Sequence, residues 1–282
     1  VSESHERLHH KGPPTEARHT RVPCHADSID VAFEQGETLL DGIARAMDEG
    51  GFEAAVLKLD GALLASCPFV IPDWSEDDRY AAWYSRTRTD TDIQFDQATV
   101  IVGRKDGQWF AHCHALWSRP DKGARMGHVL NDQATLGAPF RAEGFAVTGA
   151  ELNVEIDPET RFPLFHAGAT ETPAATNAAL LTVRPHEDLR ATIEGAVRAS
   201  GFSKATAVGL GSLIGAGFAD GPSMPSPISE VILLDGVRIE EGACTALPLV
   251  CVDPDLKLWR GDLKRGAGPV CVTFEILLLD DA

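Results

Sequence analysis

Two periods alternate along this chain. In two segments apolar residues return every three to four positions: Leu39, Ile43, Ala46 and Met47, then Leu189, Ile193, Ala196 and Val197. Each set falls on one face of a helix. Glu37 and Glu187 stand in the first turn, where the helix dipole favours a negative charge. Gly51 and Gly201 mark the ends, where a left-handed residue is commonly required. Elsewhere the pattern is that of strands, predicted at 21–33, 98–103, 109–117 and 145–156, then at 179–183, 230–234, 246–253 and 270–279. Asp106-Gly107 and Asp235-Gly236 read as matching hairpin turns. Hairpin-linked strands with one early helix predict an α+β fold, an antiparallel sheet with a helix packed on one face.

The two helical segments are also alike in sequence. Residues 36–64 align without a gap on residues 186–214, with nine identities that include Glu37/Glu187, Gly51/Gly201, Phe52/Phe202 and Gly61/Gly211. Similarity at a fixed displacement predicts two tandem domains, 22–166 and 178–282. Residues 167–177, made of Ala, Thr, Gly and Pro with little else, read as the linker between them. Residues 1–21 lack apolar periodicity and are expected to be a disordered tail, with His5, His9, His10 and His19 solvated.

Composition narrows the class. Hydrophobic residues make up 44% and charged residues 24%, as in soluble globular proteins. No run approaches the ~20 apolar residues of a membrane helix, and a cytoplasmic protein without membrane contact is expected. The six cysteines form no CxxC pair and sit in apolar runs, so they read as free buried thiols. A net charge of -17 with no long basic run argues against nucleic acid as a partner.

The sharpest chemical feature is Phe110-Ala111-His112-Cys113-His114-Ala115-Leu116, followed by Gly127-His128-Val129-Leu130. On a strand, His112 and His114 share one face, while Ala111, Cys113, Ala115 and Trp117 form an apolar face suited to the core. His128, on a neighbouring strand, could close a three-imidazole set. Three neutral imidazoles suit Zn, with Ni, Fe and Cu open, and leave one position free. The alternative is a pair of half-exposed histidines on the polar face of a sheet.

These residues resemble the signature of the PPC (plants-and-prokaryotes-conserved) domain, HxH followed by GH(L/V). Gly36-Glu37-Thr38-Leu39-Leu40 is similar to that family's helix start, and Gly209-Leu210-Gly211-Ser212-Leu213 to its GxGS(L) strand end. Ala150-Glu151-Leu152 and Phe274-Glu275-Ile276 are similar to its last strand. The resemblance implies trimer-related self-association and zinc bound through His112, His114 and His128. Two copies cannot close a three-fold ring alone, so a homo-oligomer is expected. The plant members' DNA-binding AT-hook has no counterpart here, since Arg260-Gly261-Asp262 is the nearest fragment.

In the second copy, Leu249-Val250-Cys251-Val252-Asp253 and Gly261-Asp262-Leu263 stand where the histidine motifs should be, and no metal site is expected from Cys251 and Asp262. The first copy carries an insertion, 66–97, rich in aromatic residues. Two roles are open to it, covering the metal site to line a pocket or burying its aromatic residues against a neighbouring subunit, with the second preferred. The leading functional reading is a metal-bearing, oligomer-forming protein that binds or senses a small ligand. The second is a metal-dependent hydrolase or lyase, with Asp121, Glu143 and Glu151 as candidate acids or bases and Arg125 for an anionic substrate. A DNA-binding regulator is third.

Overall fold

The structure is a computed structural model that describes residues 8–77, 79–171, 173 and 175–281. Strands dominate it, and the described residues contain two helices, Leu39–Gly50 and Leu189–Ser200. Both helices begin on a side-chain cap: Thr38 accepts from the Asp41 amide and Asp188 from the Ala191 amide. Both end on a left-handed glycine, Gly51 and Gly201. The periodic apolar residues face inward as predicted, with Leu39, Ile43, Met47, Leu189, Ile193 and Val197 all buried.

In the N-terminal half, His19–Phe33 pairs with Phe140–Thr148, which pairs with Ala54–Lys58. Arg88–Lys105, Gln108–Arg119 and Gly123–Val129 follow in order. In the C-terminal half, Ala178–Val183 pairs with Val270–Asp280, followed by Lys204–Leu213, Glu230–Leu233, Pro248–Val252 and Leu258–Asp262. The strand order is the same, and so are the registers. Phe33 faces Phe140 as Val183 faces Phe274; Ala55 faces Ala146 as Ala205 faces Asp280; Ala115 faces Gly127 as Leu249 faces Gly261.

Each helix covers one face of its own sheet. The first helix shares a buried core with Ala111, Cys113, Ala115 and Trp117, the second with Ala207, Leu249, Cys251 and Phe274. The helix-free faces meet through a third set of buried residues drawn from both halves, among them Cys24, Ile101, Leu152, Leu180, Leu210 and Leu277. The first strand ties the halves together, because its His19–Cys24 segment pairs with Ala178–Val183 and its later residues with Phe140–Thr148. The face carrying His112 and His114 is therefore buried rather than solvated: Leu116, on the same face, packs against Ile232, Leu234 and Val250.

Several local expectations need correction. The segment read as a tail is ordered over its described part, with Leu8 buried and Arg18 paired with Glu159 at 2.7 Å. His19 begins a strand, His10 Nε2 lies 2.7 Å from the Cys271 carbonyl, and His5 lies outside the described residues. The linker is shorter than read, since Pro163–Ala169 is a strand and Asn177 clamps both the amide and the carbonyl of Ala26. Gly149, at φ 85°, breaks the single strand expected over 145–156 into two. Asp106 and Gly107 both take positive φ in a tight hairpin, but at Asp235-Gly236 only the glycine does. The strand after it, Arg238–Glu240, pairs with Lys204–Leu213 instead of folding back. The Gly61/Gly211 identity does not survive either: Gly61 turns the chain at φ 89°, whereas Gly211 lies inside a strand.

Candidate metal centre and adjoining pocket

Alternation on Gln108–Arg119 sends Cys113 into the core and sets His112 and His114 side by side on the opposite face. The neighbouring strand, Gly123–Val129, places His128 directly across from His114. One nitrogen from each of the three rings lies within 4.8 Å of the others. The ring centroids are 4.6 Å apart for His112 and His114, 4.9 Å for His112 and His128, and 5.5 Å for His114 and His128.

The outer nitrogens fix the ring orientations. His114 Nδ1 lies 2.9 Å from the Val231 carbonyl, which can only accept, so Nδ1 carries the hydrogen and Nε2 turns inward. His112 Nδ1 lies 2.7 Å from Glu275 Oε2, and its Nε2 faces His114 Nε2 at 3.0 Å. Glu230 Oε2 is 2.9 Å from the same His114 Nε2. Three electron-rich atoms thus converge on one point, and only a proton or a metal ion between them relieves the repulsion. For bonds of ~2.0–2.1 Å, tetrahedral ligand nitrogens stand about 3.3 Å apart; His112 Nε2 and His114 Nε2 are near that spacing at 3.0 Å, and His128 brings a nitrogen within 4.8 Å of both. His128 Nδ1 is buried without a hydrogen-bond partner, which also fits a metal ligand. The donor set therefore fits a divalent metal.

Burial, followed by the neighbouring His114, pushes His112 down to about 3. Burial and the two other rings push His128 well below the usual imidazole range. His114 goes the other way. Burial alone would lower it, but the charge and hydrogen bond of Glu230, with the Val231 carbonyl and Glu275, outweigh that and raise it. Burial pushes Glu275 up to about 7. Burial thus favours the neutral, ligating form of His112 and His128, while the contacts with Glu230 favour the protonated form of His114, so a metal competes with a proton chiefly there.

A largely apolar pocket opens beside the histidines. Trp83, Tyr84, Phe110, Phe162 and Phe165 line it together with His112, His128, Glu230 and Glu275. Tyr84 stands 5.2 Å from His128, and Trp83 is 4.9 Å from Phe162. Much of the 66–97 insertion is strand, Leu63–Val70 and the first part of Arg88–Lys105, and it buries Phe69 and Phe95 in the core. Between them the short strand Trp83–Tyr84, paired with Pro72–Asp73, sets Tyr84 against His128 and Trp83 on the pocket wall, so this part of the insertion lies beside the histidines.

The other sequence candidates lie elsewhere. Asp121 is an exposed partner of Arg119 at 2.9 Å. Glu143 lines a separate cleft between the halves, and Glu151 pairs across from Gly168 on an outlying hairpin. Arg125 reaches towards Asp90, 3.8 Å away. In the C-terminal half, the ladder registers put Ala246, Pro248 and Asp262 at the places of His112, His114 and His128; the equivalence of Asp262 with His128 is the one read from sequence, whereas that of 249–253 with 110–116 is displaced. Asp262 pairs with Arg190 at 3.1 Å, and Cys251 is buried in the core. The sequence reading missed Glu230 and Glu275. Nothing in their spacing ties them to histidines more than a hundred residues away; only a buried acid in an otherwise apolar strand marks each.

No family model matches the chain, and no curated protein matches it. Solved structures do. A metal-containing protein from Archaeoglobus fulgidus is 16% identical, with a TM-score of 0.39 over 50% of this chain and 93% of that one. A plant- and prokaryote-conserved (PPC) protein from Pyrococcus horikoshii is 16% identical, with a TM-score of 0.38 over 51% of this chain and 94% of that one. A hypothetical protein from Salmonella enterica is 11% identical, with a TM-score of 0.39 over 52% and 96%. Each match spans about half of this chain.

Proposed function

We propose that this chain is a zinc-binding, PPC-like protein built from two tandem copies of one domain, and that it binds a small ligand beside the metal. The observation that carries the metal reading is the convergence of His112, His114 and His128 while the Nδ1 atoms of His112 and His114 are engaged outside the shared point. The matching strand order and registers of the two halves support duplication. In this reading the second copy, with Ala246, Pro248 and Asp262 at the ligand positions, covers the first copy's site and supplies its acids. Self-association remains part of the proposal, because two copies leave a three-fold arrangement open.

His112, His114 and His128 would hold the ion, and a zinc ion so held supplies Lewis-acid chemistry. Glu275 orients the His112 ring, and Trp83, Tyr84 and Phe162 restrict water. The enzyme reading, hydrolase or lyase, is favoured by Glu230, a buried acid that lines the pocket next to His114. The negative balance of the chain disfavours the DNA-binding reading. Among the described residues no helix is long and apolar enough to cross a membrane.

The test is metal content. The zinc-equilibrated chain should retain about one equivalent per chain through gel filtration, and His112→Ala and His128→Ala should retain none while keeping the same far-ultraviolet circular dichroism. Equal retention by the variants would refute the site.

A further inference from the structure

The walls of the pocket restrict what can enter it. Among the described residues that line it there is no lysine or arginine. Arg125, the sequence's candidate for an anion, turns to Asp90 instead. The charged groups present are both acids, Glu230 and Glu275, and both are buried. Glu275 spends its oxygens on His112 Nδ1 and on the Thr273 hydroxyl, and Glu230 faces His114. Three neutral imidazoles bring no charge of their own, so a divalent cation among them is balanced by these two carboxylates. A ligand that carried a further negative charge would leave it uncompensated in an apolar enclosure, where such a charge is costly. A neutral ligand meets no such penalty. The rest of the lining matches a flat or branched apolar body: Trp83 and Tyr84 cluster with Phe162, and Phe110 pairs with Phe165.

Resting on the metal reading above, we propose that the pocket takes a small neutral molecule with an aromatic or branched aliphatic body and one oxygen donor, such as an alcohol, aldehyde, ketone or amide, and rejects the carboxylate of the same shape. The apolar body lies among the aromatic side chains, and the donor atom points to His112, His128 and Glu230. Glu230 is the specificity-determining residue, because it sets the sign of charge that the pocket tolerates.

Benzamide and benzoate are a matched pair of probes, alike in size and planarity and different in charge. Both are titrated by calorimetry and by tryptophan fluorescence into the wild type and Glu230→Gln, each with and without zinc and each with its metal content measured. Benzamide should bind the zinc-loaded wild type about tenfold more tightly than benzoate, or better. Glu230→Gln should bind benzoate about tenfold more tightly than the wild type does in the same metal state. Benzoate binding as tightly as benzamide, benzoate affinity unchanged in Glu230→Gln, or binding of neither probe to protein of confirmed zinc content would each overturn the proposal. Failure to take up zinc would defeat the metal reading instead, and the zinc-free titrations would then decide the pocket's preference, with benzamide still expected to bind more tightly.

Discussion

Ring nitrogens that face away from the shared point decide the behaviour of the three histidines. Glu275 holds the His112 Nδ1 and the Val231 carbonyl holds that of His114, so both inner nitrogens are committed before any ion arrives. Glu275→Gln keeps a hydrogen-bonding group but removes the charge, and it should weaken zinc binding about tenfold to a hundredfold in competition with a chromophoric chelator. The pH dependence follows from the same contacts. Because His112 lies at about 3 and His128 well below the usual range, protons do not compete for them near pH 6; they compete only through His114, which is raised, and Glu275, at about 7. Metal uptake should then displace two protons at most, and affinity should fall by no more than about a hundredfold per pH unit between pH 6 and 5. A thousandfold fall per unit would mean three ordinary imidazoles. At this scale the sequence displayed the histidines, because strand alternation is local. It could not display the acids that orient them, because those meet the histidines only after the second sheet has packed on the first.

Among the elements, the helices were the most legible, since their start, apolar face and stop are written within a dozen residues. Asp188→Ala should cost about 1 kcal/mol in urea unfolding by removing the cap on the Ala191 amide. The 66–97 insertion was the least legible. Its aromatic residues advertise burial but not against what: Phe69 and Phe95 enter the core, and Trp83 and Tyr84 the pocket. Extending the strand back to Arg88 places Asp90 under Trp117, whose Nε1 donates to it at 3.0 Å, and next to Arg119 and Lys122. Asp90→Ala strands that indole and removes the buried counter-charge, and it should cost about 2–3 kcal/mol by the same assay, the partial exposure of the cations holding the figure down. A loss below the scatter of the assay would show that the cluster is solvated.

At the scale of the whole molecule, the two halves share buried residues and a strand, so neither sheet is complete alone. Tryptophan fluorescence and circular dichroism should therefore report one coincident unfolding transition; two separable transitions would mean independent domains. Light scattering should show a homo-oligomer, and a strict monomer would remove the trimer-related part of the proposal. The likeness of the two halves was legible as a displacement in sequence. That acids of the C-terminal half lie against histidines of the N-terminal half was not. The most direct test of the central claim is X-ray absorption at the zinc edge of the loaded chain. Three imidazole nitrogens at about 2.0–2.1 Å, with one or two light-atom ligands besides, are predicted. A sulfur shell, or a sphere of oxygens with fewer than two imidazoles, would contradict it.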